Sequence, residues 1–237
     1  MMVGTWPGQR SPETRTSPLL NSALSAAGVL SPPDAARLVF RRGELMNREA
    51  LKHPGAMQAI VGLNLAAVEA LVEEGRRLGV VAVANHNMET QIVITGAPEP
   101  VARVGALAAA KGAKSVPLKV SGAWHSELIR GAEAEFCENL SAAAFHPARK
   151  SIVLNVTADT AQDPDEIRAI MARQLCSPVR WYDSMCRMDA AGVERYVEVG
   201  PGKVLAGLQR TNLPRDSAAA VYNVGNLAQL EAYLKHL

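Results

Sequence analysis

The chain has 237 residues, of which 48% are hydrophobic, 20% charged and 4% aromatic, with a formal net charge of +2 at pH 7. This length supports one large domain or two small ones, and scattered, nearly balanced charges with few aromatic rings argue against binding to nucleic acid. Three cysteines without C-x-x-C spacing argue against a disulfide framework or a zinc site, and no apolar run is long enough to span a membrane, so we expect a cytoplasmic protein.

The N-terminal part of the chain predicts a leader followed by two helices. Residues 1–20 are rich in Pro, Ser, Thr and Gly and predict an irregular leader. A helical pattern then begins near Ser22 and stops at Gly28. The segment "SPPDAARLVFRRGELM" predicts a second helix, with Ser31 as its N-cap and prolines in its first positions.

Two adjacent arginines, Arg41 and Arg42, lie within this second helical segment. Their side chains point about a third of a turn apart, so at most one of them can face a cleft. Solvated charge on a helix is the simpler interpretation. The alternative is a fork that holds a substrate carboxylate through two hydrogen bonds, which arginine does better than lysine.

Residues 55–120 predict a compact unit with the order strand, helix, strand, strand, helix, strand. The segments are "GAMQAIVGL", "NLAAVEALVEEGRRLG", "VVAVANHN", "TQIVITG", "APEPVARVGALAAAKGA" and "KSVPLKV". The order βαββαβ is that of the ferredoxin-like motif, a four-stranded sheet with helices on one face. We therefore expect residues 53–120 to form a ferredoxin-like subdomain.

After residue 121 the chain alternates between strands and helices, which favours a mostly parallel sheet. We expect a long helix after His125, a short buried strand in "SIVLNV" and a helical region interrupted at Pro178. "VERYVEVGPGKVLAGLQ" predicts a strand, a tight turn and a helix, and "AAVYNVGNLAQLEAYL" a last strand and helix. The fold class is thus α/β, with a core of residues 21–52 and 121–237 that the ferredoxin-like unit interrupts.

The strongest candidate for a catalytic group is His125, in "VPLKVSGAWHSELI". We place it where a strand passes into a helix, the position at which catalytic groups collect in α/β proteins. A general base is one interpretation, and a structural histidine bonded to a backbone carbonyl is the other. The neighbouring Trp124 could form one wall of an acyl pocket.

The segment "EVGPGKVLAGL" matches no phosphate-binding motif and favours a rigid turn that docks a helix.

Seven segments, taken together and in order, resemble the malonyl-CoA:acyl-carrier-protein transacylases, the acyltransferase family of fatty-acid and polyketide synthesis. They are "SALSAAGVLS", "ARLVFRRGELM", "GAMQAIVGL", "NHNMETQIVITG", "GAKSVPLKVSGAWHSELI", "RQLCSPVRW" and "VEVGPGKVLAGL". The resemblance runs from about Ser22 to the C-terminus. It implies an α/β-hydrolase-like acyltransferase core with a ferredoxin-like insertion.

The resemblance also implies roles for individual residues. His125 would be the general base, Arg42 would bind the free malonyl carboxylate, and Gln174 would orient the histidine through its backbone carbonyl. Trp124 and Asn87 would join the substrate-binding residues. The acyl group would pass from malonyl-CoA to an enzyme serine and then to the phosphopantetheine thiol of an acyl carrier protein. No metal and no redox cofactor is implied.

The family's G-H-S-x-G nucleophile elbow has no counterpart, because the chain contains no G-x-S-x-G. We therefore expect a core that lacks the family's N-terminal segment. An alignment without gaps offers Ser17 as the nucleophile, but its neighbours Arg15, Pro18 and Leu19 are not those of an elbow. Proline in particular has no N–H to give to an oxyanion.

Gln9, in "WPGQRS", is similar to the glutamine of the family's P-G-Q-G-S loop, which supplies an oxyanion N–H; an unrelated leader is the simpler interpretation. From these residues we expect weak or no transferase activity. The alternatives are a non-catalytic fragment that binds acyl-CoA or a carrier protein, and the acyltransferase subunit of malonate decarboxylase.

Overall fold

The computed structural model describes residues 18–235 of the protein. The α-helices in this range are α1 (Pro18–Ala26), α2 (Pro32–Lys52), α3 (Leu65–Gly75), α4 (Pro98–Ala110), α5 (Glu133–Ala142), α6 (Pro164–Ala172), α7 (Trp181–Ala190), α8 (Val204–Asn212) and α9 (Leu227–Leu234). The strands are β1 (Ala56–Val61), β2 (Val81–Met88), β3 (Gln91–Gly96), β4 (Lys114–Pro117), β5 (Val153–Leu154), β6 (Asp159–Thr160), β7 (Arg195–Val199) and β8 (Ala220–Val224). Short 3₁₀ helices cover Arg76–Leu78, Glu127–Ala132 and Gln174–Cys176.

The ferredoxin-like unit is present as the sequence predicts. Its four strands lie in the order β2-β3-β1-β4, and β1 pairs antiparallel with both β3 and β4. The helices α3 and α4 follow β1 and β3 in the chain, which completes the βαββαβ order. The mixed α/β fold class and its ferredoxin-like element are therefore confirmed, while the domain boundaries at residues 53 and 120 stay a prediction.

The four-stranded sheet is covered on both faces. Ile60, Ile92 and Ile94 pack in the cluster that includes residues of α3 and α4. Ala59 and Val93, each one residue away, belong to the larger core beneath the other face. Because successive side chains of a strand point to opposite faces, this alternation places the sheet between its own helices and the rest of the protein. The subdomain is thus fused to the core through its sheet.

α1 begins at Pro18, ahead of the predicted start near Ser22, whereas the end of α1 and the start of α2 lie where the sequence predicts them. α1 ends before Gly28, whose φ of 78° is the left-handed conformation that glycine adopts without strain. The N–H of Val29 then donates to the carbonyl of Leu24 at 2.9 Å, the hydrogen bond of a Schellman motif. α2 begins after Ser31, whose side chain accepts a hydrogen bond from the N–H of Asp34. Both predicted helix boundaries are confirmed.

The segment after His125 differs in detail from the predicted long helix. It begins as the 3₁₀ helix Glu127–Ala132, which Ser126 caps by accepting from the N–H of Leu128, and only then continues as α5. Its apolar side chains nevertheless point inward as predicted, because Ile129, Phe136 and Leu140 are all buried in the main core. This core lies between α1, α2, α5, α6 and the sheet of the ferredoxin-like unit.

The predicted mostly parallel sheet is smaller than expected within residues 18–235. Its parallel pairings are β7 with β8 and a single bridge between Asn85 and Val179. "SIVLNV" gives only the two-residue strand β5, antiparallel to β6. The strand stops because the hydroxyl of Thr157 donates to the carbonyl of Leu154 and accepts from the N–H of Asp159, which makes a turn.

Three further predictions concern the cysteines, a membrane span and the leader. Cys137, Cys176 and Cys186 are free thiols. No helix within residues 18–235 is long and apolar enough to cross a membrane. The predicted leader, except for its last three residues at the start of α1, lies outside the described residues.

Substitution of one buried and one exposed phenylalanine tests which residues form the main core. Phe136 has no exposed surface, whereas Phe40 on the outer face of α2 is 62% exposed. Phe136→Ala should lower the free energy of unfolding by about 3–5 kcal/mol, and Phe40→Ala should change it by no more than about 0.5 kcal/mol. Urea denaturation of both variants measures this, and equal losses would contradict the packing described.

Candidate active site

Arg42 lies on the inner face of α2. It follows Leu38 by four residues and precedes Met46 by four, so the three side chains lie on the same face of the helix. All three are buried, and Arg42 is 4% exposed. Arg41 instead lies at the surface and pairs with Glu44 at 2.8 Å. The prediction that at most one of the two arginines can face inward is confirmed, and Arg42 is that one.

The partner of Arg42 is the side chain of Gln174, which begins the 3₁₀ helix Gln174–Cys176. Arg42 donates to the Gln174 side-chain oxygen Oε1 from Nε at 3.1 Å and from Nη2 at 2.7 Å. Gln174 is itself 1% exposed. Among the described residues, no Asp or Glu forms an ion pair with Arg42. A buried guanidinium is therefore held by a neutral amide oxygen.

His125 contacts the main chain of the same glutamine. Its ring atom Nδ1 lies 3.3 Å from the main-chain carbonyl oxygen of Gln174. A carbonyl only accepts, so this contact is a hydrogen bond when Nδ1 carries the proton, and the lone pair then lies on Nε2. The histidine is 3% exposed. The contact matches the role that the family resemblance implies for Gln174.

The backbone around His125 differs from the sequence prediction. β4 ends at Pro117, the Leu118 N–H still donates to the Met57 carbonyl, and a tight turn follows in which the Val120 N–H donates to the Leu118 carbonyl. His125 therefore lies in a loop, not directly at a strand end. Its φ is 64°, a left-handed conformation that few non-glycine residues adopt and that recurs at functional sites.

The electrostatics of the two basic groups follow from burial. Burial lowers the pKa of the Arg42 guanidinium from its ordinary value to about 9. Burial, and after it the positive charge of Arg42, lower the pKa of His125 from 6.5 to about 4, while backbone hydrogen bonds with Gln174 and Ser177 oppose this change. At neutral pH the site thus combines a charged guanidinium with a neutral imidazole, which can accept a proton.

Two donors in this region are buried without a partner within the described part of the chain. They are Nε2 of Gln174 and the indole Nε1 of Trp124. Leaving a buried donor unpaired costs roughly 1–3 kcal/mol, so each such group leaves a place for a water, an ion or a ligand as its partner. Trp124 is 9% exposed, and its ring packs closely against Gly122, while its role as a bulky wall beside His125 stays a prediction.

The remaining predicted site residues lie further along the chain. Asn87 belongs to β2, and its main-chain carbonyl accepts a hydrogen bond from the Asn212 side chain of α8 at 2.9 Å. The role of its own side chain stays a prediction. Ser17 and Gln9 lie outside the described residues. In the described part of the chain, no group of three or more His, Cys, Asp or Glu side chains is arranged to hold a metal ion.

The "EVGPGK" turn has the structural role that its sequence favours. The Glu198 carboxylate accepts hydrogen bonds from the N–H groups of Leu205 and Ala206 in the first turn of α8. A carboxylate at the positive end of a helix dipole stabilises that end. Because Glu198 already occupies these donors, the turn docks α8 on β7 and does not offer them to a phosphate.

Sequence reasoning missed the contact between the side chains of Arg42 and Gln174. The two residues are 132 positions apart, so no local period or spacing could connect them. It also missed that β2 holds the segment after Gln174 in place. There the His86 N–H donates to the Val179 carbonyl, and the Val179 N–H donates to the Ala84 carbonyl.

Comparison with known proteins places this site in a family. Residues 21–229 match the family model of the acyl transferase domain. The malonyl CoA-acyl carrier protein transacylase of Bacillus subtilis is 41% identical over 189 residues, which cover 79% of this chain and 60% of the relative. That of Escherichia coli K12 is 40% identical over 201 residues, 84% of this chain and 65% of the relative. The chain thus spans less than two thirds of the length of these relatives.

Solved structures support the same assignment. The crystal structure of MCAT from Streptococcus pneumoniae superimposes with a TM-score of 0.86 at 36% identity, covering 92% of this chain and 70% of that one. A type II polyketide-synthase acyl-carrier protein in complex with its malonyl-transacylase gives a TM-score of 0.85 at 32% identity, with the same coverages of 92% and 70%. The family model, the identities and the shared fold agree, and the chain belongs to the acyl transferase domain family.

Proposed function

We propose that this chain takes part in malonyl transfer from malonyl-CoA to the phosphopantetheine thiol of an acyl carrier protein. The observation that carries the proposal is the pair of contacts at Gln174, which brings a buried, charged Arg42 and a neutral His125 to one residue. The malonyl group has one free carboxylate and one reactive thioester. A buried guanidinium without an acidic partner among the described residues suits the carboxylate, and an unprotonated imidazole suits the chemistry at the thioester.

In the proposed first step, a serine hydroxyl oxygen attacks the thioester carbonyl carbon. The hydroxyl proton passes to His125 Nε2, the bond between carbon and sulfur breaks, and the coenzyme A thiolate leaves and takes the proton from the imidazolium. In the second step the phosphopantetheine thiol gives its proton to His125 and attacks the new ester, and the serine oxygen leaves with that proton. The relatives' names and the solved complex with a carrier protein support these substrates.

Ser17 is the serine that the sequence offers as nucleophile for this proposal, and mass spectrometry tests it. Brief incubation of the intact protein with malonyl-CoA should give little covalent malonyl adduct, because the neighbours of Ser17 are not those of a nucleophile elbow, and any adduct formed through this serine should be lost in Ser17→Ala. The absence of G-x-S-x-G from the sequence favours a second candidate function, binding of malonyl-CoA without transfer. Binding without an adduct, on protein shown by circular dichroism to be folded, would replace transfer with this second function.

Arg42 should determine the preference for an acyl group with a free carboxylate. Arg42→Met keeps an unbranched side chain but removes the charge, so malonyl-CoA should bind roughly 10–100-fold more weakly while acetyl-CoA binding changes little. Calorimetric titration with both thioesters measures this. Arg41→Met is the matched control on the exposed face of α2 and should leave both affinities unchanged. An unchanged malonyl preference in Arg42→Met would contradict the assignment.

The low pKa of His125 makes a prediction about stability. Because the folded state disfavours the protonated ring, stability from this group is complete above the unfolded pKa of 6.5 and is lost as the pH falls towards about 4. The full pKa difference corresponds to about 3 kcal/mol. His125→Asn should remove this loss, and asparagine also tolerates the left-handed backbone.

Urea denaturation at about pH 7 and about pH 4 compares the two proteins. The wild type should lose about 3 kcal/mol more of its free energy of unfolding than His125→Asn does between these conditions. His86, whose pKa is also lowered mainly by burial, is present in both proteins and cancels in the difference. Equal losses would show that His125 is not buried in its neutral form.

A further inference from the structure

The side chain of Gln174 has a feature that orientation of His125 does not explain. The contact with His125 uses only the main-chain carbonyl, which any residue at this position would supply. The side chain instead reaches Arg42, and its Oε1 accepts both Nε and Nη2 of the guanidinium. The identity of the side chain at position 174, and not only its main chain, is therefore important for Arg42.

The orientation of the Gln174 amide follows from its contact with Arg42. A guanidinium only donates, so Oε1 must face it, and a flipped amide would set two donors against each other. The other end of the amide, Nε2, is then a donor beside the guanidinium. It is buried and has no hydrogen-bond partner within the described residues, on a side chain that belongs to a residue only 1% exposed.

The Gln174 side chain is also neutral, and this affects the charge of the site. Glutamate has nearly the same shape and would form a buried ion pair with Arg42, which would cancel the charge that an incoming carboxylate needs. An amide oxygen aligns the guanidinium without cancelling its charge. The site then keeps one net positive charge and two kinds of donor, the remaining N–H groups of Arg42 and the free N–H groups of Gln174 Nε2.

We propose that the Gln174 side chain is the second half of the acyl-carboxylate site: its Oε1 aligns Arg42, and its Nε2 donates a hydrogen bond to the bound carboxylate. This inference rests on the proposed function, because it assumes that Arg42 binds the malonyl carboxylate. It makes Gln174 a residue that determines acyl specificity, in addition to its role in positioning His125.

The test compares the binding of malonyl-CoA with that of acetyl-CoA. General damage to the site weakens the binding of both thioesters, whereas loss of a group that binds the carboxylate weakens only the binding of malonyl-CoA. Gln174→Glu replaces the Nε2 donor by an acceptor and neutralises Arg42, so it should reduce the malonyl preference at least about tenfold. Gln174→Met keeps the length of the side chain but has no polar end, and it should reduce the malonyl preference by roughly 3–10-fold. Calorimetric titration of the full chain measures each affinity.

Two controls keep the result interpretable. Gln162→Glu makes the same change of charge at an exposed position and should leave the preference unchanged. Circular dichroism and thermal unfolding show whether each variant is folded. In Gln174→Met, the main-chain carbonyl still faces His125, so the loss of stability between about pH 7 and about pH 4 should match that of the wild type.

The outcomes separate this inference from the proposed function. A wild-type malonyl preference that falls in both Gln174 variants supports the inference. A wild-type preference that Gln174→Met retains in full overturns the inference and leaves the role of Arg42 intact. If the wild type binds malonyl-CoA no better than acetyl-CoA, the carboxylate site of the proposed function is wrong, and the inference is overturned with it.

Discussion

The contacts of Gln174 are the interaction on which the site depends. Through its side chain this residue holds Arg42 of α2, and through its main chain it meets His125 of the loop after β4. These segments are far apart in the chain, and each is anchored separately in the main core, by Leu38 and Leu45 on α2 and by Ile129 just after the loop. The core therefore determines the distance between Arg42 and His125.

The burial of Arg42 has an energetic cost. Moving a guanidinium out of water is unfavourable, as the drop of its pKa to about 9 reflects, and a neutral amide returns only part of that cost. Within residues 18–235 the same core leaves donors on Gln174 and Trp124 unpaired. Local departures from satisfied packing of this kind are typical of binding sites, where a ligand completes the hydrogen bonds.

Sequence patterns predicted most of the fold because local rules determine it. The cap at Ser31, the break at Gly28 and the strands β1 and β3 each depend on a few adjacent residues. The candidate site was predicted through family resemblance, which implied Arg42 and His125. The contact between the Arg42 and Gln174 side chains and the left-handed backbone at His125 depend on tertiary packing, and no local pattern encodes them.

The most direct test of this account is nuclear magnetic resonance of the Arg42 side chain. In protein labelled with ¹⁵N at arginine, the buried Arg42 Nε–H should give a slowly exchanging signal, identified by its loss in Arg42→Met. The account predicts that malonyl-CoA shifts this signal and that acetyl-CoA at the same saturation does not, since only the malonyl group carries a free carboxylate. An Arg42 signal that saturating malonyl-CoA leaves unmoved would contradict the claim that this buried guanidinium binds the acyl carboxylate.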